Sequence, residues 1–285
     1  MLNNTISMEH EKNLIMVTWD FTEKSMYALE HAVQMTSMLK GEISVVHIAG
    51  KKSEIRDAQK RMAEEVKRKF TDPSLVFNFI VRTGNIFHTI GEVAAETNAL
   101  LVIMGTHGIV GMQKFLGSWA LKVVASSKAP FVVVQESPKG EALKNIVLPV
   151  NFKKETKECV AWTNLFSKKF GTKFHLFKAK YTDSNFRKGL ESNVFFITKY
   201  FNSKGIRFES QTTVGESDFG KESVRYAKEV DADAILLMTT RDIGFTDYVL
   251  GPQEQYIIAN NEKIPVICIN PRPAKVGGGF SASGG

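Results

Sequence analysis

The chain spells out one pattern of elements twice, and no fold is admissible that does not repeat it. A strand-like run from Leu14 to Asp20 opens the first half, and Pro130 to Val134 closes it. Asn145 to Asn151 opens the second half, and Pro265 to Ile269 closes that one. Landmarks recur between them: Gly84 and Gly215, Met104 and Met238, Gly117 and Gly251, Pro130 and Pro265, at offsets of 131, 134, 134 and 135 residues. Solenoid units repeat every ~20–50 residues, so a period this long marks a duplicated domain.

Each copy is large enough for its own core, and 285 residues suit two such domains. The boundaries expected are 1–138 and 144–273, joined by a polar linker. The glycine-rich tail 274–285 is expected to stay disordered. No apolar run approaches the ~20 residues of a membrane span. The first residues lack a basic segment followed by an apolar one, so no signal peptide is read and a cytoplasmic protein without a membrane partner is expected. Cys159 and Cys268 are too few for a disulfide framework and read as buried thiols. The net charge of +7 comes from short lysine pairs interleaved with acids, which reads as solvated helix faces and argues against a nucleic-acid partner.

The first half reads as strands near 14–19, 43–48, 74–81, 100–104 and 131–134. Helices fall between them near 26–39, 53–70, 85–96 and 117–126. In the second half strands fall near 146–150, 173–178, 206–213, 234–238 and 265–269, and helices near 155–169, 185–203, 217–229 and 252–261. Alternation of this kind gives an α/β fold: two tandem doubly wound parallel sheets, with ligands expected beyond the strands' carboxyl ends.

The segment most able to carry chemistry is Gly105 to Ser118, between a buried strand and a helix. Glycines let backbone N–H groups approach an anion, and a helix start offers unpaired donors and a positive dipole end. Ser118 adds a hydroxyl. The same spacing also suits a turn that merely packs tightly, and it is not a P-loop, because no Gly-Lys-Ser/Thr follows.

These residues resemble the universal stress protein family, and in particular its two-repeat members. The family signature is a strand ending in Gly-x-x-Gly, nine residues, then Gly-Ser/Thr; Gly105, Gly108, Gly117 and Ser118 come close to it. Val17 to Asp20, His47-Ile48, Gly84 and Ala129 to Val134 add to the likeness. The resemblance implies the adenine-nucleotide-binding type of α/β fold. It also implies ATP, ADP or AMP as ligand, with Mg²⁺, in the first half. Asp20 would sit near ribose and phosphates, Ile48 and Met104 would enclose adenine, Gly105, Gly108, Gly117 and Ser118 would hold phosphates, and Thr106 would be a further nucleotide-binding residue. Two departures stand out: eight residues, not nine, separate Gly108 from Gly117, and Trp119 stands where a smaller residue is usual.

In the second half Asn151 stands for Asp20, Thr239 and Asp242 for the two glycines, and Pro252 for Ser118. That copy reads as degenerate, kept for pairing in an intrachain pseudo-dimer; the alternative is a site for a less anionic ligand. The histidines show no metal-ligand spacing and no nucleophile motif occurs, so no catalytic residue is named. The reading is a nucleotide-binding stress-response or regulatory protein with an unnamed protein partner, able to dimerise further. Two alternatives stay open: an interaction module with structural glycine loops, and a slow ATP-hydrolysing enzyme.

Overall fold

A computed structural model describes residues 13–106, 129–140, 142–215, 218–239 and 250–271. The first half contains β1 (Leu14–Thr18), α1 (Glu23–Leu39), β2 (Glu42–Ala49), α2 (Ile55–Lys69), β3 (Phe77–Thr83), α3 (Ile86–Glu96), β4 (Leu101–Gly105) and β5 (Phe131–Val134). The second contains β6 (Asn145–Val150), α4 (Val160–Phe170), β7 (Lys173–Lys178), α5 (Ser184–Lys204), β8 (Phe208–Thr212), α6 (Phe219–Glu229), β9 (Ala234–Met238), α7 (Pro252–Ile258) and β10 (Val266–Ile269). The helix expected near 117–126 lies outside the described residues.

All ten strands join one sheet in the order β3-β2-β1-β4-β5-β10-β9-β6-β7-β8. Read outward from the middle, each half has the same strand order. Pairing is parallel within each half, as crossover helices require, and antiparallel at the seam, where Val266 faces Val133, Ile267 faces Val132 and Cys268 faces Phe131. Every residue of β5 and β10 is buried. Two strand edges that would otherwise be open thus close on each other. Both cysteines are buried, and desolvation pushes the Cys159 thiol up to about 12 and the Cys268 thiol higher still.

Helix and strand ends shift from the sequence expectation for local reasons. Asp72 accepts hydrogen bonds from the N–H and hydroxyl of Ser74, and this turn delays β3 to Phe77. The helix expected from 155 begins as a 3₁₀ turn, Lys154–Cys159, and becomes α-helical only at Val160. The segment expected as a polar linker buries Ala142 and Leu143 in the core. α7 ends at Ile258 because the Asn260 side chain turns back, donating to the carbonyls of Ile257 and Ile264 and accepting from Ile264 N–H.

The strand register also corrects the match between the halves. Val102 N–H donates to the carbonyl of Pro130, and Ile235 N–H to that of Pro265. Thr106 N–H reaches Val134, and Thr239 N–H reaches Ile269. Structurally, then, Thr106 corresponds to Thr239, Gly105 to Met238, and Met104 to Leu237. The two methionines are one position out of step, and Thr239 is not the counterpart of the first glycine.

Candidate functional site

β1 lies between β2 and β4, and the chain leaves β1 toward β2 but later crosses to β4 on the other side. That reversal makes a crevice beyond the carboxyl ends of β1 and β4. Asp20 follows β1, Ile48 lies near the end of β2, and Met104, Gly105 and Thr106 end β4. The sheet therefore gathers these five at one end of three neighbouring strands. Gly108, Gly117 and Ser118 lie outside the described residues, as do His107 and Trp119.

Asp20 is exposed and organises the turn into α1. Its Oδ1 accepts from the Thr22 N–H at 3.0 Å and from the Thr22 hydroxyl at 2.6 Å. Thr22 in turn N-caps α1 through Ser25 N–H. Asn151 builds the same turn in the second half, its Oδ1 accepting from Lys153 N–H and the Thr156 hydroxyl at 2.9 Å each. One carboxylate oxygen of Asp20 is thus structural. Oδ2 has no hydrogen-bond partner among the described residues.

Ile48 and Met104 pack on the α3 face of the sheet. Gly105 is pressed against the opposite layer. A Cβ there would lie 1.9 Å from the carbonyl oxygen of Lys24 in α1. At Met238, its counterpart, the side chain packs into that same core face. There the 3₁₀ turn stands where the first half has a full α-helical start.

Two local strains sit beside Asp20. Phe21 has φ of 63°, an outlier for an aromatic residue. Its ring lies 4.2 Å from the Arg61 guanidinium and 4.8 Å from the His47 ring, measured to the centroid. The His47 Nδ1–H donates to the Trp19 carbonyl at 2.7 Å, which fixes its tautomer. Trp19 is 3% exposed, and its indole Nε1 is buried with no hydrogen-bond partner among the described residues.

The second half fills the equivalent end of its sheet. Glu254, in the first turn of α7, is 7% exposed and accepts from the Lys153 ammonium at 3.0 Å. A Cβ on Gly251 would meet its Oε2 at 2.6 Å, so the carboxylate leans over the helix start. An internal anion therefore lies over the start of α7. Phe152 stacks on Phe186 at 4.3 Å and meets Tyr181 edge-on at 5.3 Å, so aromatic rings line the neighbouring edge. By sequence the first half has Ala120 for Glu254 and Thr22 for Lys153. Sequence reasoning missed this ion pair, because its members are 101 residues apart and no local pattern links them.

A separate cavity of about 350 Å³ lies between the halves, lined in part by His31, Gln34, Glu136, Lys139, Lys228 and Lys263. It shares no lining residue with the crevice. Its charges are largely spent on one another: Glu136 pairs with Lys139 and Lys263, and Lys228 with Glu262. We place the candidate site at the strand ends for that reason. Among the described residues no cluster of three or more His, Cys, Asp or Glu could hold a metal ion.

A sequence profile of the universal stress protein family matches residues 13–135. Over residues 13–135, the chain is similar to the universal stress protein family. Universal stress protein YxiE of Bacillus subtilis (strain 168) is 23% identical over 146 residues, which is 43% of this chain and 99% of that protein. A universal stress protein from Archaeoglobus fulgidus DSM 4304 superposes with a TM-score of 0.72 at 18% identity, over 92% of this chain and all of the other. A functionally unknown protein from Pseudomonas aeruginosa PAO1 gives 0.63 at 14% identity, over 91% of this chain and 93% of that one. At these identities the superpositions speak for the fold, and they extend it across both halves. No described helix of the universal stress protein fold seen here is long and apolar enough to cross a membrane.

Proposed function

We propose that the first half binds one adenine nucleotide, with ATP and Mg²⁺ as the pair the crevice suits best, and that the protein acts as a ligand-dependent stress-response or regulatory protein. The observation that carries this reading is where the fold tolerates strain. The left-handed Phe21 and the orphaned Nε1 of Trp19 flank Asp20. Each costs about 1–3 kcal/mol, and such costs cluster at sites kept for binding. Their counterparts in the second half, Phe152 and Val150, carry neither. Phe152 has no positive φ, and valine has no polar side-chain atom.

Asp20 suits a magnesium–nucleotide ligand. Mg²⁺ takes one or two carboxylate oxygens and completes its shell with phosphates and water. The exposed carboxylate, held by one oxygen and open at the other, offers one such donor. Gly105, Gly108, Gly117 and Ser118 are assigned to the phosphates, Ile48 and Met104 to the base, and Thr106 to the nucleotide site beside them. The second half stands as a closed copy, because a carboxylate repels phosphate and Pro252 has no N–H to give.

Calorimetric titration of the full chain with ATP and Mg²⁺ tests the reading. One site per chain is expected, lost in Gly117→Val with the melting transition unchanged. A folded Gly117→Val that still binds would remove that residue from the site. No binding at all would favour the alternative of an interaction module.

A further inference from the structure

The duplicated fold supplies an internal control for its own surfaces, and one helix fails it. α2 and α5 hold the same place in the two halves, each crossing between the second and third strand. The solvent face of α2 is a mixed-charge surface with Lys60–Glu64 and Arg61–Glu65 pairs, and it exposes no large apolar side chain. That is what this position needs in order to fold and stay in solution. α5 is 21 residues against 15, and it leaves Phe195 67% and Phe196 42% exposed.

The surroundings of these rings are basic. Lys188, Phe195 and Lys199 share one helical face by their spacing of seven and four residues. The Lys199 ammonium lies 5.9 Å from the Phe195 ring centroid. Lys157, from the 3₁₀ turn before α4, lies 5.6 Å from that of Phe196 and donates to the Ser192 hydroxyl at 3.0 Å. The exposed Phe195 and Phe196 rings lie beside ammonium groups on flexible stems, with Ser192 and the exposed Glu191 between Lys188 and Phe195 on α5, so basic groups outnumber this acid around the rings. Lysines of this kind read negative charge as points rather than through a planar fork.

We propose that this face of α5 docks on an anionic lipid surface. Phe195 and Phe196 enter the interfacial layer, while Lys157, Lys188 and Lys199 meet lipid phosphates. The contact is peripheral, reversible and sensitive to salt. The expectation of no membrane partner rested on the lack of an apolar run long enough to span. A surface contact needs no such run.

Co-sedimentation of the full chain with phosphatidylcholine vesicles, with and without phosphatidylserine, tests this. Binding is expected only with phosphatidylserine, and it should fall as salt rises. F195S/F196S should weaken it roughly tenfold or more. K188Q/K199Q should weaken it on the order of twentyfold, at about fivefold per lysine, and flatten the salt dependence. All four side chains are exposed, so both variants should keep the parent melting temperature. The proposal is overturned by no binding at low salt, by equal binding to neutral vesicles, or by undiminished binding of either variant. It is also overturned by a dimer in light scattering that F195S/F196S dissolves, which would make a second copy the occupant.

Discussion

Gly105 packs directly against the backbone of Lys24, so that a Cβ would come within 1.9 Å of the carbonyl oxygen and 2.3 Å of the carbonyl carbon. Backbone on both sides leaves nothing flexible to yield. Gly105→Ala should destabilise the protein by at least ~2 kcal/mol, as read by urea denaturation. An alanine variant of parent stability would contradict this contact. Loss of ligand binding in that variant would say nothing about phosphate, because the helix start itself must move.

Asp20 can be separated from its structural duty. Asn151 shows that an amide oxygen makes the same turn. Asp20→Asn should therefore keep the fold to within about 0.5 kcal/mol, while magnesium-dependent nucleotide affinity falls at least tenfold. Asp20→Ala should lose about 1 kcal/mol besides, because the turn into the Thr22 cap goes with it. Unchanged affinity in a folded Asp20→Asn would remove the carboxylate from the site.

Much of the fold could be read in the chain, and for identifiable reasons. Buried parallel strands such as Leu101–Gly105 are continuous apolar runs, and the repeat fixed their number and order. What escaped reading was contact at long separation. The gap between the halves changes before β9, so a Met–Met match drew Met104 onto Met238. Hydrogen bonding to Pro130 and Pro265 shows Gly105 to be the true counterpart of Met238. Of the candidate site, Asp20, Ile48, Met104, Gly105 and Thr106 were traceable because strand ends converge. The strain at Phe21 and the orphaned indole of Trp19 had no signature, since both depend on backbone angle and burial.

On the proposed reading the second half is a closed copy, and the Lys153–Glu254 pair is one of the features that close it. Lys153→Met strips a buried carboxylate of this partner and should cost about 1–3 kcal/mol in denaturant unfolding, less than a fully buried pair because Lys153 is partly exposed. Nucleotide stoichiometry should stay at its parent value, because Met238 and Pro252 remain. A second binding event in this variant would show that the ion pair alone keeps that half shut.

His31 ties stability to pH. It is 6% exposed, and desolvation lowers its imidazole from 6.5 to about 4. Its Nε2–H donates to the Glu136 carbonyl at 3.1 Å. The folded state holds the ring neutral, whereas the unfolded chain protonates it near 6.5. Its contribution is therefore fully present above pH 6.5 and is lost as pH falls toward 4. The slope is at most about 1.4 kcal/mol per pH unit. His31→Gln should flatten the melting temperature between pH 6.5 and 4. A slope equal to that of the parent would place its origin elsewhere.

The central claim is that one half binds nucleotide and the other is closed. Its most direct test is to purify the chain natively, denature it, and quantify released nucleotide by mass spectrometry, with added ATP and Mg²⁺ as a second arm. The account predicts one adenine nucleotide per chain. Two per chain would contradict the closed second half, and none in either arm would contradict the site at Asp20.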